Sequence, residues 1–209
     1  RFEGKVSDSE WKPLREIADD EPIESIRSRG FNTDADAIVR SLKEDLNCNL
    51  ADSKVLLLGA GGAGRVAALK LAAESVKELY VVNRTVQKAT EIVGEIQKSF
   101  RNINVTVGYP SRTVDLVVNS TSLGLKPSDP MPIDERDFSL KKADAVYDMI
   151  YRPAETKLLS SAKAAGCAIS NGVGMLLYQG TKALEIWSDV PAPVEVMRQA
   201  LKTHIYGNV

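Results

Sequence analysis

The sequence predicts an α/β fold, a doubly wound parallel sheet of about six strands with flanking helices. Three observations predict it. Short apolar, β-branched runs recur along the chain, with helix-periodic stretches between them. One run, Val55 to Leu58, passes directly into Gly59-x-Gly61-x-x-Gly64, and a helical pattern of Val66, Leu69, Leu71 and Ala72 follows at once. Polar runs begin just after Leu58, Val82, Val118 and Tyr147, at the carboxyl ends of strands, where open α/β sheets gather their ligands.

The glycine run has a mechanical reading. Gly59 makes a tight turn, Gly61 lets backbone approach a pyrophosphate, and Gly64 lets the helix pack close to the strand. Ala60, Gly62 and Ala63 complete the turn and bring free N–H groups to the phosphates at the helix N-terminus. Strand, glycine turn and helix in that order form a Rossmann-like dinucleotide-binding fingerprint; a glycine-rich turn without a ligand is the plainer alternative. The next strand, Leu79-Tyr-Val-Val82, ends in Asn83-Arg84-Thr85. An NAD site usually has an acidic residue there for the ribose 2′-OH. Here Arg84 can pair with a 2′-phosphate, and Asn83 and Thr85 can add hydrogen bonds, which argues for NADP. Lys88 adds positive charge one turn later, or is simply a surface lysine.

The elements are expected in this order. Residues 1–29 are polar and acidic, broken by Pro13 and Pro22 and anchored by Trp11. They read as a leader or the remnant of an upstream substrate domain, with residues 11–18 partly helical. Residues 30–209 form the NADP-binding domain. Within it a linking helix, 33–46, is capped by Thr33 or Asp34 and carries the stripe Ile38, Val39, Leu42 and Leu46. Strands follow at 54–58, 78–82, 103–107, 114–119, 145–148 and 167–170, with helices at 62–74, 86–100 and 154–165. The connection 108–113 is too short for a crossover helix, and 120–135 is a proline-rich loop. C-terminal helices span 174–204, split by Pro191-Ala-Pro193.

Composition narrows the function. A net charge of −1 without a basic stripe points away from nucleic acid, and no apolar run is long enough to span a membrane. Cys48 and Cys167 lie in no motif, so a cytoplasmic, reducing setting is expected. The single histidine, His204, reads as a surface residue, and no His/Cys cluster exists to bind a metal. The chain opens on Arg1-Phe-Glu-Gly-Lys5, with neither an initiator Met nor a signal peptide, as a fragment would.

Further segments add a resemblance. Asn119-Ser-Thr-Ser-Leu-Gly124, Tyr147-Asp-Met-Ile-Tyr-Arg-Pro153, Asn171-Gly-Val-Gly-Met175, Tyr178-Gln-Gly180 and Gly30-Phe-Asn-Thr-Asp34 stand in the order found in shikimate dehydrogenases. The chain resembles that family over roughly residues 30–201. The resemblance implies an NADP-linked enzyme interconverting 3-dehydroshikimate and shikimate on the route to aromatic amino acids. It makes Asp34 the catalytic aspartate, with Asn32, Tyr151 and Gln179 at the substrate. It places Gly172, Gly174 and Met175 near the nicotinamide and Thr121, Ser122 and Leu123 near its ribose, and makes Met149 and Tyr151 further cofactor-binding residues. On local pattern alone Asp34 reads as a helix cap, Tyr151 as packing, Gln179 as a surface amide and 120–122 as a turn. Two departures stand out. The family's Val-Thr-x-Pro-x-Lys segment, which supplies a catalytic lysine, does not occur in these 209 residues, and Ala37 replaces the usual glycine three residues after the aspartate. The expectation is an NADP-binding portion with weak or no turnover by itself. The C-terminal helices would leave Leu176, Leu177, Leu184, Ile186 and Trp187 exposed and favour a homodimer.

Overall fold

The computed structural model describes residues 2–207. The first residue of the expected leader and the last two of the expected cofactor domain lie outside the described residues. β1 (Phe2–Ser7) pairs antiparallel with both β2 (Glu10–Pro13) and β3 (Ser25–Ser28), giving a small sheet in the order β2-β1-β3. The expected helix over 11–18 is not there. Trp11 and Lys12 sit opposite Lys5 and Gly4 on β1, and only a 3-10 turn, Leu14–Glu16, follows Pro13. Strand pairing between non-neighbouring residues overrides a weak local helix preference. Gly4 packs closely in this sheet: a Cβ there would come within 2.6 Å of Ile17 Cδ1, so the Ile17 side chain would have to shift. The Arg15 guanidinium bonds the Trp187 carbonyl and the Asp189 carboxylate, docking this sheet onto the end of a C-terminal helix.

α1 (Asp34–Leu46) leads into the main sheet: β4 (Lys54–Leu58), α2 (Gly62–Ala73), β5 (Glu78–Val82), α3 (Val86–Ser99), β6 (Asn104–Val107), β7 (Val114–Asn119), β8 (Ala143–Asp148), α4 (Lys157–Ala164) and β9 (Ala168–Asn171). The six strands are parallel in the order β6-β5-β4-β7-β8-β9. The chain winds outward one way from β4 and the other way from β7. The switch point therefore lies between them, where Leu58 pairs with Asn119.

Both faces of the sheet are covered, which explains why its strands read as unbroken apolar runs. One face buries Leu57, Val118 and Tyr147 against Ile38, Leu42, Ala68, Leu71, Ile92 and Ile96 of α1–α3. The other buries Leu56, Leu58, Val117 and Val146 against Phe138, Leu158 and Leu159. Each fully buried Leu or Ile contributes about 1.5–3 kcal/mol.

Two helix starts differ from expectation. α1 is capped by neither Thr33 nor Asp34: the Asn32 carboxamide oxygen accepts from Asp34 N and Ala35 N at 3.0 and 3.3 Å. α4 begins three residues later than 154, because Thr156 is its cap and accepts from Leu159 N. α5 (Val173–Ser188) packs on α1, and α6 (Val194–Tyr206) packs on α5 through Met197 and Leu201. Leu177 is consequently buried at 2 % exposure, not exposed as expected, whereas Trp187 is 70 % exposed.

Candidate active site

The site grows from the end of β4. Gly59 has φ +108°, which a side chain rarely tolerates, and its N–H donates to Val82 O at 2.7 Å. On the other side, Ser120 ties the turn to β7: its N–H and its hydroxyl both donate to Leu58 O at 2.8 Å. Gly64 faces the same turn, and a Cβ there would come within 2.4 Å of the Gly59 carbonyl oxygen. By contrast, Cβ atoms at Gly61 and Gly62 would meet open space. The first N–H groups of α2 thus stand at an exposed surface with room for a ligand beside them.

Asn83 serves this loop from within the protein. Its oxygen accepts from Ala60 N at 3.0 Å and its amide donates one N–H to Thr85 O at 2.9 Å, so it buttresses the turn. Arg84, Thr85 and Lys88 are exposed beside it. One cleft of about 910 Å³ joins these parts. It is lined by Gly59, Gly61, Asn83, Arg84, Thr85, Lys88, Thr121, Ser122 and Leu123 from the expected set, together with Tyr109 and residues 130–135. Ala60, Gly62, Ala63 and Gly64 belong to the loop and helix behind it. Met149, Tyr151, Gly172, Gly174 and Met175 do not line this cleft.

Residues 119–123 do form a turn, and the turn carries the site. The Asn119 oxygen accepts from Thr121 N and Oγ1 at 3.0 and 2.8 Å, and Thr121 Oγ1 accepts from Leu123 N. Asn119 Nδ2 donates to the Asp148 carboxylate at 3.0 Å. That carboxylate also accepts from Ile150 N and from Thr156 Oγ1 at 2.6 Å. Asn119 and Asp148 are both fully buried, and burial pushes the Asp148 carboxyl above the usual range despite these donors. Asn119 and Asp148 were not singled out in the sequence, yet they fix the loops after β7 and β8. The available signal was polar residues ending two apolar strands, which here pair in register.

A second network sets α1 against β8 and α5. Tyr147 Oη lies 2.9 Å from Ser41 Oγ, which donates to Asp45 at 2.6 Å. Burial raises the Tyr147 phenol strongly. The Gly174 Cα lies against this pair: a Cβ would come within 2.4 Å of Ser41 Oγ. At Gly172 a Cβ would come within 2.0 Å of the Met149 carbonyl oxygen. Both glycines therefore have packing reasons to be glycine. Asp34 sits partly exposed at the first turn of α1, and its carboxylate takes no hydrogen bond from the described residues. Tyr151 is 39 % exposed, its carbonyl accepting from Tyr206 Oη, and Gln179 is half-buried on α5. Among the described residues no group of His, Cys, Asp and Glu could hold a metal, and no helix is long and apolar enough to cross a membrane.

A glycine turn at the switch point, an open helix N-terminus and a cationic strand end define a dinucleotide-binding α/β domain. Residues 40–125 match the model of the shikimate/quinate 5-dehydrogenase family, and residues 172–202 match that of the shikimate 5′-dehydrogenase C-terminal domain. The chain belongs to the shikimate dehydrogenase family. It is 36 % identical over 183 residues to the NADP(+) shikimate dehydrogenase of Methanopyrus kandleri, covering 84 % of this chain and 63 % of that one. A solved shikimate dehydrogenase in complex with NADP+ superposes with a TM-score of 0.72 at 31 % identity, over 84 % of this chain and 62 % of that one. The ligand-free 5-ketofructose reductase of Gluconobacter sp. strain CHM43 gives the same score at 33 % identity, over 84 % and 64 %. The chain thus spans a little under two thirds of the length of such relatives.

Proposed function

We propose that the chain binds NADP in the cleft between β5 and β7 and supplies the cofactor side of a shikimate dehydrogenase. The observation that carries this is Asn83-Arg84-Thr85 at the end of β5, a cation where an NAD site has an acid, in one cleft with an open glycine turn. The open space at Gly61 and Gly62 suits a pyrophosphate, and Arg84 with Lys88 suits a 2′-phosphate. NADP, when bound, supplies the hydride chemistry. The remaining tasks fall to side chains. Asp34, its carboxylate unengaged by the other described residues at the start of α1, accepts a hydrogen bond from a substrate hydroxyl and orients it. Asn32 holds that turn in shape through the helix cap. Tyr151 and Gln179 line the substrate side, while Met149, Gly172, Gly174 and Met175 lie on the nicotinamide side. The Asn119–Asp148 pair keeps the loops bearing Thr121 and Tyr151 in register.

These 209 residues hold no Val-Thr-x-Pro-x-Lys lysine. Loss of one positioned proton-transfer group typically costs about 10²–10⁴-fold in rate. Assayed alone with NADP and shikimate, the chain should therefore bind cofactor but give little or no rise in NADPH absorbance; robust turnover would contradict this. The second reading is a non-catalytic NADP-binding module. A quinate/shikimate dehydrogenase using NAD is disfavoured by Arg84. The exposed Trp187, Val190 and Val196 suit a homodimer, which sedentation-independent mass measurement by light scattering tests directly. The unpaired thiols Cys48 and Cys167 fit a cytoplasmic setting.

A further inference from the structure

The last helix reaches back to the carboxyl edge of the main sheet through one hydroxyl. Tyr206, in the final turn of α6, donates from Oη to the Tyr151 carbonyl at 2.7 Å and accepts from Asn171 Nδ2 at 3.0 Å. Burial raises the Tyr206 phenol, so it stays a donor at neutral pH. Asn171 ends β9, and its amide also donates to Ala154 O at 2.8 Å. The loop after β8, the end of β9 and the last turn of α6 therefore meet at this hydroxyl. The start of that loop is held by the sheet: Met149 N donates to Asn119 O at 3.0 Å, and Ile150 O accepts from Gly172 N at 3.2 Å. At Tyr151 the hold passes to Tyr206, and at Ala154 to Asn171. The docking of α6 on α5 runs through other side chains, Met197 and Leu201 by packing and Arg198 by a 2.9 Å bond to Tyr178 Oη. The Tyr206 hydroxyl is thus directed at the loop and not at the helix beneath it.

We infer that Tyr206 is a positioning residue for the nicotinamide half of the cofactor, acting through the Tyr151 carbonyl. This rests on the NADP placement proposed above. With the 2′-phosphate at Arg84 beyond β5 and the pyrophosphate at the glycine turn beyond β4, the rest of a dinucleotide crosses the switch point toward β7 and β8. The bond from Met149 N to Asn119 O sets the loop after β8 directly beside the 119–123 turn at that end. Tyr206 does not line the cleft that holds Arg84, so it acts on one end of the cofactor and not on the other.

The test is titration of the full chain with NADP and with adenosine 2′,5′-bisphosphate, which carries the adenine and the 2′-phosphate but lacks the nicotinamide half. Tyr206→Phe keeps the ring and removes the hydroxyl. It should weaken NADP about 3- to 10-fold, the range of one neutral hydrogen bond, and leave the bisphosphate unchanged. Arg198→Gln loosens α6 at its other tie, so it should lower the melting temperature and keep the ratio of the two affinities at the wild-type value. An unchanged ratio in a folded Tyr206→Phe, an equal drop in Arg198→Gln, or equal affinities of wild type for the two ligands would overturn the role of Tyr206 while leaving the site at Arg84 intact. A Tyr206→Phe chain that does not fold would overturn it too, by showing that the hydroxyl serves the fold. No binding of either ligand by wild type would instead remove the cofactor reading, and this role with it.

Discussion

In the proposed cofactor site Arg84 sets the choice of nucleotide, because a cation stands at the strand end where an NAD site has a carboxylate. A hydrogen bond to a charged group contributes about 1.5–3 kcal/mol. Arg84→Ala should therefore weaken NADP by roughly 10- to 100-fold and leave NAD nearly unchanged, measured by titration calorimetry. Asp148 makes a different prediction. Its carboxyl is raised by burial, so the native state favours the protonated form more than the unfolded chain does. Its contribution to stability is full below the ordinary value of about 4 and falls as pH rises through the raised one. Asp148→Asn removes that slope. Urea unfolding from pH 4 to 7 should show variant stability rising relative to wild type as pH increases; a falling difference would contradict the burial argument. Of these two residues only Arg84 could be read from sequence, since its meaning follows from place along the chain. The role of Asp148 depends on a neighbour, Asn119, 29 positions away.

At the scale of elements, the strand–turn–helix unit is held by one close approach. Gly64 meets the Gly59 carbonyl, which is backbone and cannot move aside like a flexible side chain. Gly64→Ala should cost about 1–3 kcal/mol from overpacking and push α2 away from the turn. Loss of NADP binding together with a lowered melting temperature would follow; unchanged binding would show that the approach is not needed. Gly174→Ala meets side chains, Ser41 and Asp45. It should lower the melting temperature and, since Gly174 does not line the cleft that holds Arg84, leave the ratio of NADP to NAD affinity unchanged. β4, β5 and β7 were legible to the residue because a strand buried on both faces is a continuous apolar run with a sharp polar end. β1–β3 were not. They are short and polar, and β1 pairs with β3 across β2 and the 3-10 turn, so no local period marks them. The α1 cap was misplaced because Asn, Thr and Asp are adjacent and all suit a cap.

At the scale of the molecule, the fold gathers the glycine turn, the cationic strand end and the 119–123 turn into one cleft, and sets the Asp34-bearing helix against α5 by a separate buried network. The first group was visible in sequence because each member follows a strand end. The 130–135 side of the cleft was not, because a proline-rich loop carries no period and its path depends on Tyr109, more than 20 residues earlier. The most direct measurement is the affinity of the purified chain for NADP and for NAD. NADP binding at least about 10-fold tighter than NAD is the expected result, from the charge-assisted contact proposed for Arg84. Equal affinities, a preference for NAD, or no binding of either would contradict the central claim.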